Sequence, residues 1–395
     1  MTALAPHAHL LHNPKFRFRD KEIDQIHYCW SDGQSVLLTG IRRTGKSEVL
    51  KAALWRYAQA GQAIAHLDVQ DQNNLAKFYQ DLLKAVLSHL PVAVSEQLKQ
   101  ALTRVANLPN AFIHWLRGQI RSVGIPAVLE VELTPTAPED AQVLRYWPTL
   151  SEHITIVLAS HPPEALPVIG LDELPFMLEN LLHAGVSAAE LTLMLASLRK
   201  LRDAGLRFII AGSISFENLL SLHGIPHTVL GGLARQNIPP FSREEARQYL
   251  AEKLRGRPAA EHLAPILDGL PDYVPEFLRI AEPYLFSCKD ANACRHALSN
   301  DILPAIRRAF LQQFDERLNK NYLPGELPTA HAILDRIAQA DAAGAAIDGR
   351  ALPEDYQRVL LKLQYDNFLI EGEGFNWCFS LNLIRQWWRG QRGMA

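Results

Sequence analysis

Apolar residues recur along this chain in two rhythms. Short apolar runs at 35–39 (SVLLT), 63–69 (AIAHLDV) and 206–213 (LRFIIAGS) read as buried strands, while 48–60 (EVLKAALWRYAQA) has the three- and four-residue spacing of a helix face. Further helices are expected over about 74–89, 95–106 and 187–204. The alternation in 127–133 (AVLEVEL), closed by the turn-rich TPTAP, reads as an edge strand added to the core. In 166–182 (LPVIGLDELPFMLENLL) an apolar run leads straight into Asp172 and Glu173, and an amphipathic helix begins after Pro175. Pro167 and Gly170 inside that run are expected to weaken it as a fully buried central strand. Strand, helix and strand in succession predict an α/β fold built on a parallel sheet.

Beyond residue 240 the pattern changes. Helices separated by Pro/Gly turns (RGRPAAEHL, GLPDYVPEFL) run to about 309, and KNYLPGELP (320–328) marks a linker. Residues 329–388 then read as helix, short helix, helix and two strands joined by EGEG (371–374), ending in LNLIRQWW. Helices followed by such a hairpin suggest a winged helix-turn-helix. The expected division is 1–240 as an α/β core, 241–325 as a helical domain and 326–395 as a winged-helix domain.

Composition narrows the classes of function. The chain has 395 residues with 40 Lys+Arg against 42 Asp+Glu, a formal charge of -2, which excludes a polybasic nucleic-acid coat. A hydrophobic content of 48% is enough for sizeable cores and argues against a disordered chain. Cys29, Cys288, Cys294 and Cys378 are scattered without a partnering Cys/His cluster, so neither a disulfide framework nor a zinc finger is expected, and a reducing cytoplasmic setting fits. No apolar run reaches the roughly 18 residues of a membrane span. The opening stretch is interrupted by His7, His9 and His12 and does not read as a secretory leader.

The candidate chemistry begins at GIRRTGKS, residues 40–47, which matches G-x-x-x-x-G-K-[ST] between a strand and a helix. Gly40 and Gly45 let the backbone of Ile41, Arg42, Arg43 and Thr44 curl with its N–H groups inward, and the helix that opens with Lys46, Ser47 and Glu48 directs its positive end at the same anion. Lys46 would reach the β- and γ-phosphates of a nucleotide, and the Ser47 hydroxyl would ligate Mg²⁺. In such a protein a neighbouring strand must end in a carboxylate that holds the Mg²⁺. Asp172 suits that role, and Glu173 suits the orientation or deprotonation of the attacking water. Ser213, after the 206–213 run, is placed to sense the γ-phosphate. Arg207, Arg235 and Arg243 are candidates to stabilise transition-state charge, with Arg235 the best placed, between the sensor strand and the helical domain.

GIRRTGKS, LDELP and FIIAGS at these separations resemble the archaeal-type ATPases of the AAA+-related STAND class. FRFRDKEIDQI (16–26) is similar to the segment that opens such domains, and GLARQNIPPFSREEARQYL (232–250) to the strand and helix after the sensor strand. LDGLP (267–271) is similar to the Gly-x-Pro element of the helical lid, which implies that Pro271 approaches the base. The resemblance implies ATP and Mg²⁺ as ligands, bound between an α/β core and a helical lid, with ADP as product and slow hydrolysis driving a conformational switch. Ile41 stands where the family often has arginine, although Arg42 and Arg43 keep the loop basic.

Three readings of the whole chain follow. One is an ATP-driven switch acting on a protein partner or on further copies of itself. Another is a DNA-associated ATPase regulator, of the kind attached to mobile elements, defence systems or replication loaders. The last is a nucleotide-sensing scaffold that does not hydrolyse. Charge disfavours DNA as the main partner, because Glu354 and Asp355 offset Arg358 and Lys362 on the third helix of the C-terminal module and Glu371 and Glu373 sit at the tip of its wing.

Overall fold

In a computed structural model of the chain, residues 11, 13, 16–103, 113, 115, 139–212, 215–345 and 347–394 are described. The described residues of Met1–Thr39, Lys46–Ser213 and His223–Asn237 form one compact unit, and those of Gly40–Gly45, Ile214–Leu222 and Ile238–Ala395 form a second.

The first unit is organised by a five-stranded sheet in the order β2-β3-β4-β1-β5, with every neighbouring pair parallel. Its strands are β1 (Val36–Thr39), β2 (Ile64–Asp68), β3 (Val168–Asp172), β4 (Arg207–Ala211) and β5 (Ala234–Asn237). Around it lie α1 (Asp20–Ser31), α2 (Lys46–Gln59), α3 (Leu75–Ser88), α4 (Val92–Thr103), α5 (Asp140–Leu158), α6 (Leu174–His183) and α7 (Ala188–Asp203). Local chemistry explains several of their ends. In α1, Asp20 and Glu22 occupy the first turn, where the helix dipole favours acids, and Ile23, Ile26 and Trp30 form the buried stripe. Asn74 caps α3, and Ser187 with Glu190 forms a reciprocal capping box at the start of α7.

The strand expected to be weakened by Pro167 and Gly170 is instead buried along its whole length, between β2 and β4. Pro167 lies one residue before the strand and so withholds no ladder hydrogen bond. A Cβ on Gly170 would lie 2.6 Å from Leu54 Cδ1 and 3.0 Å from Leu50 Cδ2, so the glycine lets α2 approach the sheet closely. The expected strand at 127–133 lies outside the described residues, as do His7, His9 and His12.

The second unit is helical and ends in a small sheet. Its helices are α8 (Phe216–Leu222), α9 (Arg243–Lys253), α10 (Leu263–Gly269), α11 (Pro275–Phe286), α12 (Ala291–Ala297), α13 (Leu303–Phe310), α14 (Gln312–Asn321), α15 (Leu327–Ala342), α16 (Glu354–Tyr365) and α17 (Asn382–Gln391). Between α12 and α13 the chain takes one π-helical stretch, Leu298–Ile302. The sheet is antiparallel in the order β6-β8-β7, from β6 (Ile347–Asp348), β7 (Leu369–Glu371) and β8 (Asn376–Phe379). In place of the short helix expected after α15, the chain forms β6 and a single 3-10 turn, Gly349–Ala351, because the Asp348 carboxylate accepts from the Arg350 N–H at 2.9 Å and Ile347 pairs with Trp377. One continuous hydrophobic core runs through this unit, from Ile41 and Ala246 through Phe277, Phe310 and Phe314 to Phe368 and Trp388.

Candidate functional site

The loop Gly40–Gly45 carries three left-handed residues, Gly40 (φ 125°), Arg43 (φ 69°) and Gly45 (φ 94°). These are the turns that let successive N–H groups face one point. Thr44, 1% exposed, closes the loop on itself: its hydroxyl donates to the Ile41 carbonyl at 2.9 Å. A Cβ on Gly45 would meet nothing within 4 Å, so the space beside the loop is open at the residue where a phosphate would approach. Ile41 is 6% exposed in the hydrophobic core of the second unit, which accounts for an apolar residue in an otherwise polar loop. Arg42 is exposed, and Arg43 pairs with Glu276 at 2.6 Å. Glu276 lies in the first turn of α11 and also binds Arg279. No local pattern could have announced Glu276, which is 233 positions from Arg43.

The loop runs directly into α2. Lys46 is its first residue and is 7% exposed. One residue on, the Ser47 hydroxyl donates to Asp172 Oδ1 at 2.8 Å, joining the first turn of α2 to the last residue of β3. Asp172 is 2% exposed. Burial pushes its carboxyl up, but its polar neighbours His66 and Ser47, with the charge of Lys51, outweigh burial and hold it below the usual carboxylate range. The result is a buried, ionised carboxylate beside a hydroxyl. Such hard oxygen donors suit Mg²⁺, and a glycine-containing loop that opens a helix suits a polyphosphate, so the residues present fit both ligands. Glu48 points elsewhere: its carboxylate accepts from Asn13 Nδ2 at 2.6 Å.

Glu173 follows in the left-handed conformation (φ 62°, ψ 32°) and forms the N-terminal boundary of α6. His66, on β2, is a neighbour of Asp172 that the sequence reading passed over. Its one signal there was a polar ring in the apolar run AIAHLDV. Its Nε2 lies 3.9 Å from Asp172 Oδ2, too far for a direct hydrogen bond.

The remaining candidates are scattered. Ser213 lies outside the described residues. Arg235 is exposed on the edge strand β5, paired in register with Leu37 of β1. Arg207 is fully buried: its guanidinium donates to the Trp30 carbonyl at 3.1 Å, the Tyr57 hydroxyl at 2.8 Å and the Leu166 carbonyl at 2.8 Å. It holds β4 to α1 and α2 and cannot reach a phosphate. Arg243 pairs with Asp268 at 2.6 Å. Pro271 stands in the turn between α10 and α11, and its carbonyl accepts from Asn382 Nδ2 at 3.1 Å.

In sequence the chain matches no family model and no curated protein. In structure it is similar to a Walker-type ATPase of Pyrococcus abyssi, with 16% identity, 95% of this chain and 96% of that chain covered, and a TM-score of 0.52. The parallel sheet and its surrounding helices thus share the fold of that protein. The ORC2 protein of Aeropyrum pernix is more distant, with 12% identity, 98% of each chain covered and a TM-score of 0.46, a level that says nothing further about this chain.

Proposed function

We propose that the chain binds ATP in the presence of Mg²⁺, hydrolyses it to ADP, and uses that turnover as a conformational switch. The observation that carries this reading is the 2.8 Å hydrogen bond from Ser47 to the buried, ionised Asp172, set one residue beyond a phosphate-type loop and Lys46. The loop N–H groups of residues 40–45 and the Lys46 ammonium would bind the phosphates, while Ser47 and Asp172 would hold the cation. When bound, Mg²⁺ offsets charge on the β- and γ-phosphate oxygens. Glu173 orients the water that attacks the γ-phosphorus in line. Its left-handed backbone supports the assignment, because a non-glycine residue held there costs of order 1–3 kcal/mol, and such strain gathers at functional sites. Ser213 as phosphate sensor and Arg235 as charge stabiliser rest on their places in the sequence, and Pro271 beside the base and the choice of adenine rest on the resemblance to STAND-class ATPases.

We assign residues 241–325 as a lid and 326–395 as a winged helix that contacts protein, either a partner or a second copy of this chain. Both cations of α16 that could face a phosphate backbone are spent on Glu326, with Arg358 at 3.1 Å and Lys362 at 2.8 Å. Glu371 and Glu373 are exposed where the wing would meet DNA. Among the described residues, no helix is long and apolar enough to cross a membrane.

Phosphate release and ATP binding by the wild type and Glu173→Gln test the proposal. The wild type is expected to turn over, and the glutamine variant to bind ATP without turnover. If both bind and neither releases phosphate above background, the hydrolase reading fails and a nucleotide-sensing scaffold replaces it. Salt-sensitive duplex binding that alters turnover would instead favour the DNA-associated reading.

A further inference from the structure

His66 lies on the same face of the sheet as Asp172. In register it pairs with Gly170, and Asp172 pairs with Asp68, so His66 and Asp172 are diagonal neighbours on adjacent strands. Gly170 leaves the ring room: a Cβ there would lie 3.5 Å from His66 Cδ2. Ser47, Leu50 and Leu54 of α2 cover this same face. The ring therefore lies on the same face as the two oxygen donors proposed to hold the cation, 3.9 Å from one oxygen of Asp172.

His66 Nε2 is buried and has no hydrogen-bond partner among the described residues. Leaving such an atom unpaired is costly, because burial removes its water without supplying a partner. Asp172 Oδ1 is engaged by Ser47, and Oδ2 faces Nε2 across 3.9 Å. That gap is too long for a direct bond and suits a single oxygen about 2.8 Å from each atom. Mg²⁺ keeps several of its waters when it binds to proteins.

We propose that His66 is a positioning residue for the cation. Its Nε2 accepts a hydrogen bond from a water on the Mg²⁺ held by Ser47 and Asp172, so that β2, β3 and α2 each contribute one group to the cation site. The inference rests on the ATP and Mg²⁺ reading above. It adds a residue that acts on the metal and leaves the phosphate-binding loop untouched.

A fluorescent ATP analogue titrated against the full chain, with EDTA and then at graded MgCl₂, separates the two contributions. For His66→Leu the metal-free affinity is expected to stay within about twofold of wild type, while the Mg²⁺ concentration for half-maximal enhancement rises about tenfold, as is usual when a partner of a metal-bound group is lost. His66→Gln, whose amide oxygen can reach the Nε2 position, is expected to recover most of that loss. If the leucine variant does not fold, His66→Asn carries the same expectation, because its shorter amide cannot reach. An unchanged Mg²⁺ requirement in these variants overturns the inference, and so does an equal loss with and without metal. A wild type that binds the analogue with no response to Mg²⁺ overturns the cation reading itself, and this inference with it.

Discussion

The Ser47 hydroxyl donates to Asp172 Oδ1 across 125 positions of sequence. The bond satisfies a carboxylate that is 2% exposed and fixes the start of α2 against the end of β3. Removing the donor leaves a buried charged acceptor short of one partner, at a cost of about 1–3 kcal/mol. Ser47→Ala is therefore expected to lose about 1–3 kcal/mol of unfolding stability and to lose most of the Mg²⁺-dependent part of its nucleotide affinity. Urea melts, paired with nucleotide titration in Mg²⁺ and in EDTA, check both effects. Intact Mg²⁺ dependence in the alanine variant would remove Ser47 from the cation site.

Glu173 offers a separation of stability from activity. Its φ of 62° is a conformation that glycine adopts freely and that costs other residues about 1–2 kcal/mol. Part of the relief is offset because glycine also frees the unfolded chain. Glu173→Gly is thus expected to be as stable as wild type or up to about 1 kcal/mol more stable, while phosphate release falls to background. A clear loss of stability would mean that the side chain is retained for packing and not for chemistry.

Gly170→Ala tests why β3 tolerates a glycine at its centre. The added methyl would sit 2.6 Å from Leu54 Cδ1 and 3.0 Å from Leu50 Cδ2, and both leucines are fully buried. Overpacking of this kind costs about 1–3 kcal/mol. Equilibrium unfolding should show that loss, and a neutral result would mean that α2 can shift off the sheet at little cost.

In the second unit, Asp272 accepts from the backbone N–H groups of Asn382 at 3.0 Å and Leu383 at 2.9 Å, and so caps α17. Burial outweighs these donors and pushes its carboxyl from 3.8 up to about 6. A carboxyl raised on folding adds stability that is fully present below its unfolded pKa of 3.8 and is lost as pH rises through about 6. At about 1.4 kcal/mol per tenfold change in proton affinity, the swing is about 3 kcal/mol at most. Asp272→Asn keeps one acceptor oxygen and does not titrate. Relative to wild type it should gain stability between pH 4 and pH 7, as read from thermal melts across that range. Parallel pH profiles for the two proteins would count against an ionising Asp272.

Much of the chain was legible because its signals are local. The apolar runs that became β1, β2 and β4 and the GIRRTGKS loop each depend on neighbours a few positions away. The misreadings came where distant residues decide the outcome. Gly170 looks like a weakness in a strand until Leu50 and Leu54 approach it, and Arg207 looks like a charge available for catalysis until Trp30, Tyr57 and Leu166 enclose it. Arg358 and Lys362, which the sequence sets against Glu354 and Asp355, both pair in the fold with the more distant Glu326.

By itself the sequence determined the glycine-containing loop at 40–47 between a strand and a helix, the carboxylates Asp172 and Glu173 at the end of an apolar run, and the alternation of strand and helix, since backbone conformation and hydrophobic period are set by short-range sterics and spacing. Tertiary structure alone decided which groups lie side by side. Parallel pairing of β2 with β3 placed His66 beside Asp172, and packing of α2 on the sheet placed Ser47 on the other oxygen. Register between strands and the closeness of a helix to a sheet depend on side chains far apart in sequence. The electrostatics of the site, an ionised acid held in a buried position, was therefore settled only when the chain folded.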